Sequence, residues 1–231
     1  MDFDFHVIAN NFTYFMIGRY PNGPLGGLGL TIYLAVVSCV LSLFGGLILG
    51  LLSVSRQRMI RIPVTLFINA VRGLPLLMVI FWMYFLLPLL TGKATPESYT
   101  VIMGLTLFTS AYMSQIVRAG IQGIPKGQTE AALSTGLKPW QAMLYIVLPQ
   151  GLRNMIPSFV NQFVSLIKDT SLAFIVGVSE LTHVATQVNN RTMAYPTEIF
   201  IFIAAVYFVI CYAFTSFSRY LERKLSWSKP V

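Results

Sequence analysis

Charge is what this 231-residue chain has least of: 8 acidic and 16 basic residues make up 10% of it, where a soluble domain carries about a quarter. Hydrophobic residues reach 55% and the mean hydropathy is +0.70. A water-soluble core of this size has no means of hiding so much apolar surface, so the composition describes an all-α polytopic membrane protein. Cysteine is scarce as well. Cys39 and Cys211 both fall in apolar stretches, which argues against a disulfide framework and for two small buried hydrophobes. His183 stands alone, with no Cys, His or carboxylate at ligand spacing, so no metal site is expected. The N-terminus lacks the basic start, apolar run and small-residue cleavage site of a secretory signal. A phosphate-cradling G-x-x-x-x-G-K-[ST] loop is missing too, so ATP is not bound by that route. No nucleophile with a base, no paired carboxylates and no metal cluster suggest catalysis, and the chain is not expected to be an enzyme.

What is there is long apolar runs. A span needs about twenty largely apolar residues, and about five stretches qualify: 28–54, 64–90, 100–121, 156–178 and 199–217. Gly73 and Pro75 split the second, which places 62–72 at the membrane surface, leaves 74–90 to cross, and keeps Arg72 out of the bilayer centre. Gly46 and Gly50 in the first span form a small-xxx-small pair that favours close approach of another helix. Residues 1–23 mix acids with aromatics and suit a short segment resting on the membrane surface. The net charge of +8 comes from basic residues beside the spans rather than from one stripe, so it reads as topology and not as a nucleic-acid footprint. Arg56, Arg58 and Arg61 follow the first span, Lys126, Lys138 and Arg153 surround the stretch before the fourth, and Arg219, Arg223, Lys224 and Lys229 follow the fifth. The positive-inside rule makes all three regions cytoplasmic, with the N-terminus outside and the C-terminus inside. Trp82, Trp140 and Trp227 suit interfacial belts.

Between the third and fourth spans lies a polar insert, residues 126–150. Its pattern is Glu130-Ala131-Ala132, three residues, Gly136, nine residues, Ile146, one residue, Leu148-Pro149. Residues 126–135 are helix formers, Gly136 tolerates the left-handed cap that ends a helix, and Pro139 fits the first turn of another. Two short helices joined by a bend are expected, with Pro149 ending or kinking the second. Lys126, Gln128, Thr129 and Glu130 form a water-facing surface, while Leu144, Ile146, Val147 and Leu148 keep the second helix against membrane or bundle. By its residues alone the insert reads equally as an amphipathic hairpin or as a docking element.

The fourth span is the exception to the oily pattern. Asn161, Ser165, Lys168 and Asp169 recur at offsets of four, seven and eight, one stripe of a helix that lipid will not accept. Thr170 and Ser171 follow directly, and Gln115 lies near the inner end of the third span with Arg118, which snorkels or anchors at the interface. Lys168 and Asp169 sit about 100° apart on a helix and are poorly placed to pair with each other. Three arrangements are open: an ion pair across the bundle, a helix broken near Lys168 in a watery vestibule, or contact with a transported molecule.

The spaced insert pattern, together with Gly29-Leu30-Thr31, Arg72-Gly73-Leu74-Pro75, Arg118-Ala119-Gly120-Ile121 and Lys168-Asp169-Thr170-Ser171-Leu172, resembles the integral membrane permeases of polar amino-acid ATP-binding-cassette (ABC) importers. The likeness covers almost the whole chain. It implies the type I ABC importer permease fold, one transmembrane permease domain over residues 1–231, and a multi-pass place in the bacterial inner membrane. It further implies a second permease subunit, identical or a paralogue, two cytoplasmic ABC ATPase subunits carrying the ATP and Mg, and a periplasmic or lipid-anchored amino-acid-binding protein. No cofactor is implied for this chain itself, and its other neighbour is membrane lipid. Glu130, Ala131, Ala132, Gly136, Ile146, Leu148 and Pro149 would couple it to the ATPase. Gln115, Asn161, Ser165, Lys168, Asp169, Thr170 and Ser171 are the candidates for the substrate path. Position 115 is often Glu in similar proteins. With Gln there and Lys168 further out, glutamate or aspartate is the favoured cargo, with neutral or basic amino acids the alternative. A stand-alone ion-coupled carrier is the competing class, but it usually shows two repeated halves, and no internal repeat is visible here.

Overall fold

The computed structural model describes residues 5–226, with the side chains of the last two left aside. Asp2, Asp4, Trp227 and Lys229 lie outside the described residues. Those described form helices joined by short links: α1 (His6–Ile17), α2 (Gly27–Ser53), α3 (Arg58–Arg72), α4 (Leu76–Thr91), α5 (Glu97–Gln122), α6 (Lys126–Ser134), α7 (Pro139–Gln141), α8 (Leu148–Asp169), α9 (Leu181–Thr192) and α10 (Pro196–Ser226). A π-helical stretch, Ala142–Val147, joins α7 to α8, and a 3-10 stretch, Thr170–Val176, continues α8 outward. In lipid every backbone polar group needs an internal partner, which is why the apolar runs take this form.

Four helices are long and apolar enough to cross a membrane, and the pair α3 and α4, bent by 103° at its break, makes a fifth crossing when counted as one. The break falls at Gly73 and Pro75, as their chemistry dictates, for proline cannot continue a preceding helix and pushes the residue before it out of the helical region. Residues near 50, 117, 153 and 222 share one end of the bundle, where Gly50 meets Val117, Gly120 meets Met155, and Glu222 lines a cleft with Gln115 and Arg153. At the other end the amide of Gly27 bonds to the carbonyl of Ser179 (2.9 Å).

α2 and α5 are paired most extensively, and glycine is the reason. A Cβ on Gly46 would stand 2.4 Å from the Cβ of Met113, and one on Gly50 2.5 Å from that of Val117. The small-xxx-small pair therefore has α5 as its partner. A core of Leu34, Ile80, Val101, Leu105 and Leu166 then joins α2, α4, α5 and α8.

The N-terminal segment does more than lie on a surface. α1 buries Val7, Ile8 and Phe15 against Leu181, Val184 and Val188 of α9 and Ile199 and Ile203 of α10. α9 is set by Glu180, wholly buried, whose carboxylate accepts from the amides of Thr182 (2.9 Å) and His183 (2.8 Å) and from the hydroxyl of Tyr207 (3.0 Å). Burial pushes this carboxyl up to about 7 against those donors, which favour its charged form.

Two outcomes check this arrangement. Gly50→Leu forces side-chain atoms into Val117 and should cost the order of 1–3 kcal/mol, seen as a lowered unfolding midpoint in detergent. An unchanged midpoint would mean that α2 and α5 do not approach this closely. A cysteine replacing Arg58 or Lys224 should stay unlabelled by an impermeant thiol reagent in intact cells, while one replacing Lys93 or Arg191 should be labelled.

Candidate coupling element and polar path

The insert is built by its caps. α6 follows Pro125 and closes on Gly136 at φ +89. Gly136 donates its amide to Leu133 (3.0 Å) and Leu137 donates to Ala132 (3.3 Å), the paired bonds of a Schellman cap that ends a helix with a left-handed residue. The following helix starts at Pro139, where the Lys138 amide bonds to Oε1 of Gln141 (2.8 Å).

That second helix is not short, and this corrects the expectation from sequence. It runs from Pro139 to Val176 as one rod of 38 residues. Pro149 neither ends nor breaks it. In an α-helix proline would clash with the carbonyl four residues back and leave it unbonded, but here the wider π turn over Ala142–Val147 comes directly before it. The Gln150 side chain supplies a donor to the Ile146 carbonyl (2.9 Å) and another to Oε1 of Gln128 on α6 (3.3 Å).

The coupling candidates separate into anchors and a face. Ala132 is the buried residue of α6, and Leu148 packs with Val117, Ile121, Val147 and Met155 at the inner end of α5. Ile146 is half-buried, while Glu130, Ala131, Gly136 and Pro149 are exposed. Lys126 and Gln128 are exposed as expected and Thr129 is half-buried. Leu144, expected against the bundle or membrane, is 47% exposed beside Trp140 and Tyr145, whose rings lie 6.4 Å apart.

Along α8, Asn161 and Lys168 are exposed and Ser165 and Asp169 half-buried. Thr170 is buried with its hydroxyl on the Ile167 carbonyl (2.7 Å), and the half-buried Ser171 bonds to the Lys168 carbonyl (2.7 Å). Among the described residues neither Lys168 nor Asp169 forms a salt bridge with another helix. The α-helix ends at Asp169 and tightens to 3-10 from Thr170, so the helix changes character beside Lys168.

Gln115 lies inward of this region. Its Nε2 is buried without a hydrogen-bond partner, and it lines a cleft of about 600 Å³ with Arg153, Asn154, Ser158 and Glu222. Asn154 and Ser158 extend the polar stripe, because 154, 158, 161, 165 and 168 alternate offsets of four and three. Sequence reasoning missed Asn154 by starting the span at Ile156, left out Ser158 although it lies inside that span, and missed Glu222 because nothing local marks it. From Ser158 to Lys168 is about 15 Å along a helix, so the candidates trace a line and not one pocket.

Comparison with known proteins agrees with this architecture. The family model for "binding-protein-dependent transport system inner membrane component" matches residues 42–227. The probable glutamine ABC transporter permease protein GlnP of Bacillus subtilis is 40% identical, over 89% of this chain and 97% of its own length. The inner membrane amino-acid ABC transporter permease protein YhdY of Escherichia coli is 36% identical over 92% of this chain, which spans 59% of that relative. A crystal structure of an amino acid ABC transporter with histidines superposes with a TM-score of 0.84 at 29% identity, covering 97% of this chain and 100% of the matched one. The fold is that of type I ABC importer permeases. With the match reaching from Ser42 through the insert to the end of α10, this chain belongs to the binding-protein-dependent transport system inner membrane component family.

Proposed function

We propose that this chain is the permease subunit of an ATP-driven importer of polar amino acids in the bacterial inner membrane. It forms the translocation path with a second permease, a paralogue or a copy of itself. ATP and Mg are bound by two partner ATPases, and a binding protein outside the membrane delivers the cargo. The observation that carries the reading is the insert: an exposed helix, capped by Gly136 and pinned to α8 by the Gln150–Gln128 bond, at the end of the bundle where the basic flanks gather. A docking partner that pushes α6 would move a continuous helix whose other end carries Lys168 and Asp169. Coupling is therefore a rigid-body movement of one rod.

Glutamate or aspartate is the finer proposal for the cargo. The relatives do not choose, since one is named for glutamine and another for amino acids in general. Lys168 favours an acidic side chain because it is exposed on the polar face and its charge is free of any salt bridge among the described residues.

Gly136→Val meets no neighbour within 4 Å, so its cost is backbone strain at positive φ, about 1–2 kcal/mol, confined to the cap. Uptake should fall strongly while membrane insertion and cargo capture by the binding protein persist. Wild-type transport by this variant would end the docking role. Lys168→Met should weaken glutamate and aspartate uptake at least tenfold with assembly and basal ATPase activity preserved. A collapse of assembly would instead assign Lys168 to the permease–permease contact, and normal uptake would remove the case for an acidic cargo.

A further inference from the structure

The cleft at the inner end of α5, α8 and α10 holds two opposite charges that are not spent on each other. Arg153 on α8 and Glu222 on α10 both line it and both are exposed, and among the described residues no salt bridge joins them. Gln115, Asn154 and Ser158 line the same cleft. The Gln115 Nε2 is itself buried and has no acceptor from the protein, so Arg153 and Glu222, both exposed, are the charged groups open to a ligand in the cleft.

We propose that this cleft is a cytoplasmic-side binding site for the zwitterionic head group common to α-amino acids, with Arg153 receiving the α-carboxylate and Glu222 the α-ammonium. A guanidinium fork matches a carboxylate with two parallel hydrogen bonds. The pair carries no net charge, so a zwitterion satisfies both groups, while a plain cation or anion leaves one of them facing its own sign. The volume of about 600 Å³ falls within the range of small-molecule sites and exceeds what a head group fills, so side chains of different kinds are accepted. The site stands at the inner end of the stripe that begins at Lys168, and it opens where cytoplasmic solute reaches it. An amino acid accumulated inside occupies it and opposes release of the next, a product inhibition read at the head group and not at the side chain. The inference rests on the importer reading above.

The test uses the assembled complex with its ATPase in proteoliposomes. Radiolabelled glycine, L-glutamine, L-glutamate and L-arginine are each supplied from the inner face, with binding and ATP-driven uptake measured in parallel. All four should bind and slow uptake, and glutarate and butylamine, each lacking one half of the head group, should not compete. Arg153→Gln and Glu222→Gln should each weaken inner-face binding at least tenfold, with Arg153→Lys weakening it less than Gln does. Both positions are exposed, so a folding defect is not expected, and size-exclusion of the assembled complex verifies this. Equal binding by wild type and both Gln variants overturns the site, as does binding lost only on replacing Lys168, which would put the amino acid at the outer stripe. A complex that imports amino acids from outside but neither binds nor responds to them from inside also overturns it, and leaves the importer reading standing. A complex that imports none of the four overturns the importer reading, and the variant comparison alone then decides the cleft.

Discussion

The close approach of α2 to α5 is the contact on which the other packing depends. With Gly46 and Gly50 against Met113 and Val117, the two backbones come nearer than any side chain permits. In lipid, where no hydrophobic force drives helices together, such contact is what holds them. α5 then serves as a post for the rest: Gly104 receives Ile80 of α4, and Gly120 receives Met155 of α8. Gln115 is placed between these contacts, so the position of the inner cleft follows from the glycine seam.

The second constraint is the unbroken helix from Pro139 to Val176. Two prolines, Pro149 and Pro157, sit within it, and either could have made a hinge. The π turn accommodates the first. At the second, the carbonyl of Pro157 takes a hydrogen bond from the Ser218 hydroxyl of α10 (3.0 Å), which ties the rod to the last span. The helix therefore runs without a break to the 3-10 segment beyond Asp169.

At the opposite end, the packing of α1 on α9 and α10 around the buried Glu180 makes a small polar and apolar cap over the outer ends of the spans. Tyr14 adds its hydroxyl to Gln187 and its ring to the Arg191 guanidinium, so the N-terminal helix is held by side chains that are all distant from it in sequence. That distance is why residues 1–23 read as a plain surface segment: amphipathic residues look the same whether their apolar face meets lipid or another helix.

The spans, the break at Gly73 and Pro75, the cap at Gly136 and the stripe through Asn161, Ser165 and Lys168 were determined by the sequence itself. Each depends on local rules: hydrophobic length, the fixed φ of proline, the free φ of glycine, helical periodicity. Tertiary structure alone decided which helix the glycines of α2 meet, that Pro149 is absorbed rather than obeyed, and that Arg153, Gln115 and Glu222 share one cleft. These join residues up to about a hundred positions apart, and their energies come from packing and shared solvent-excluded space, to which no local pattern in the chain is sensitive.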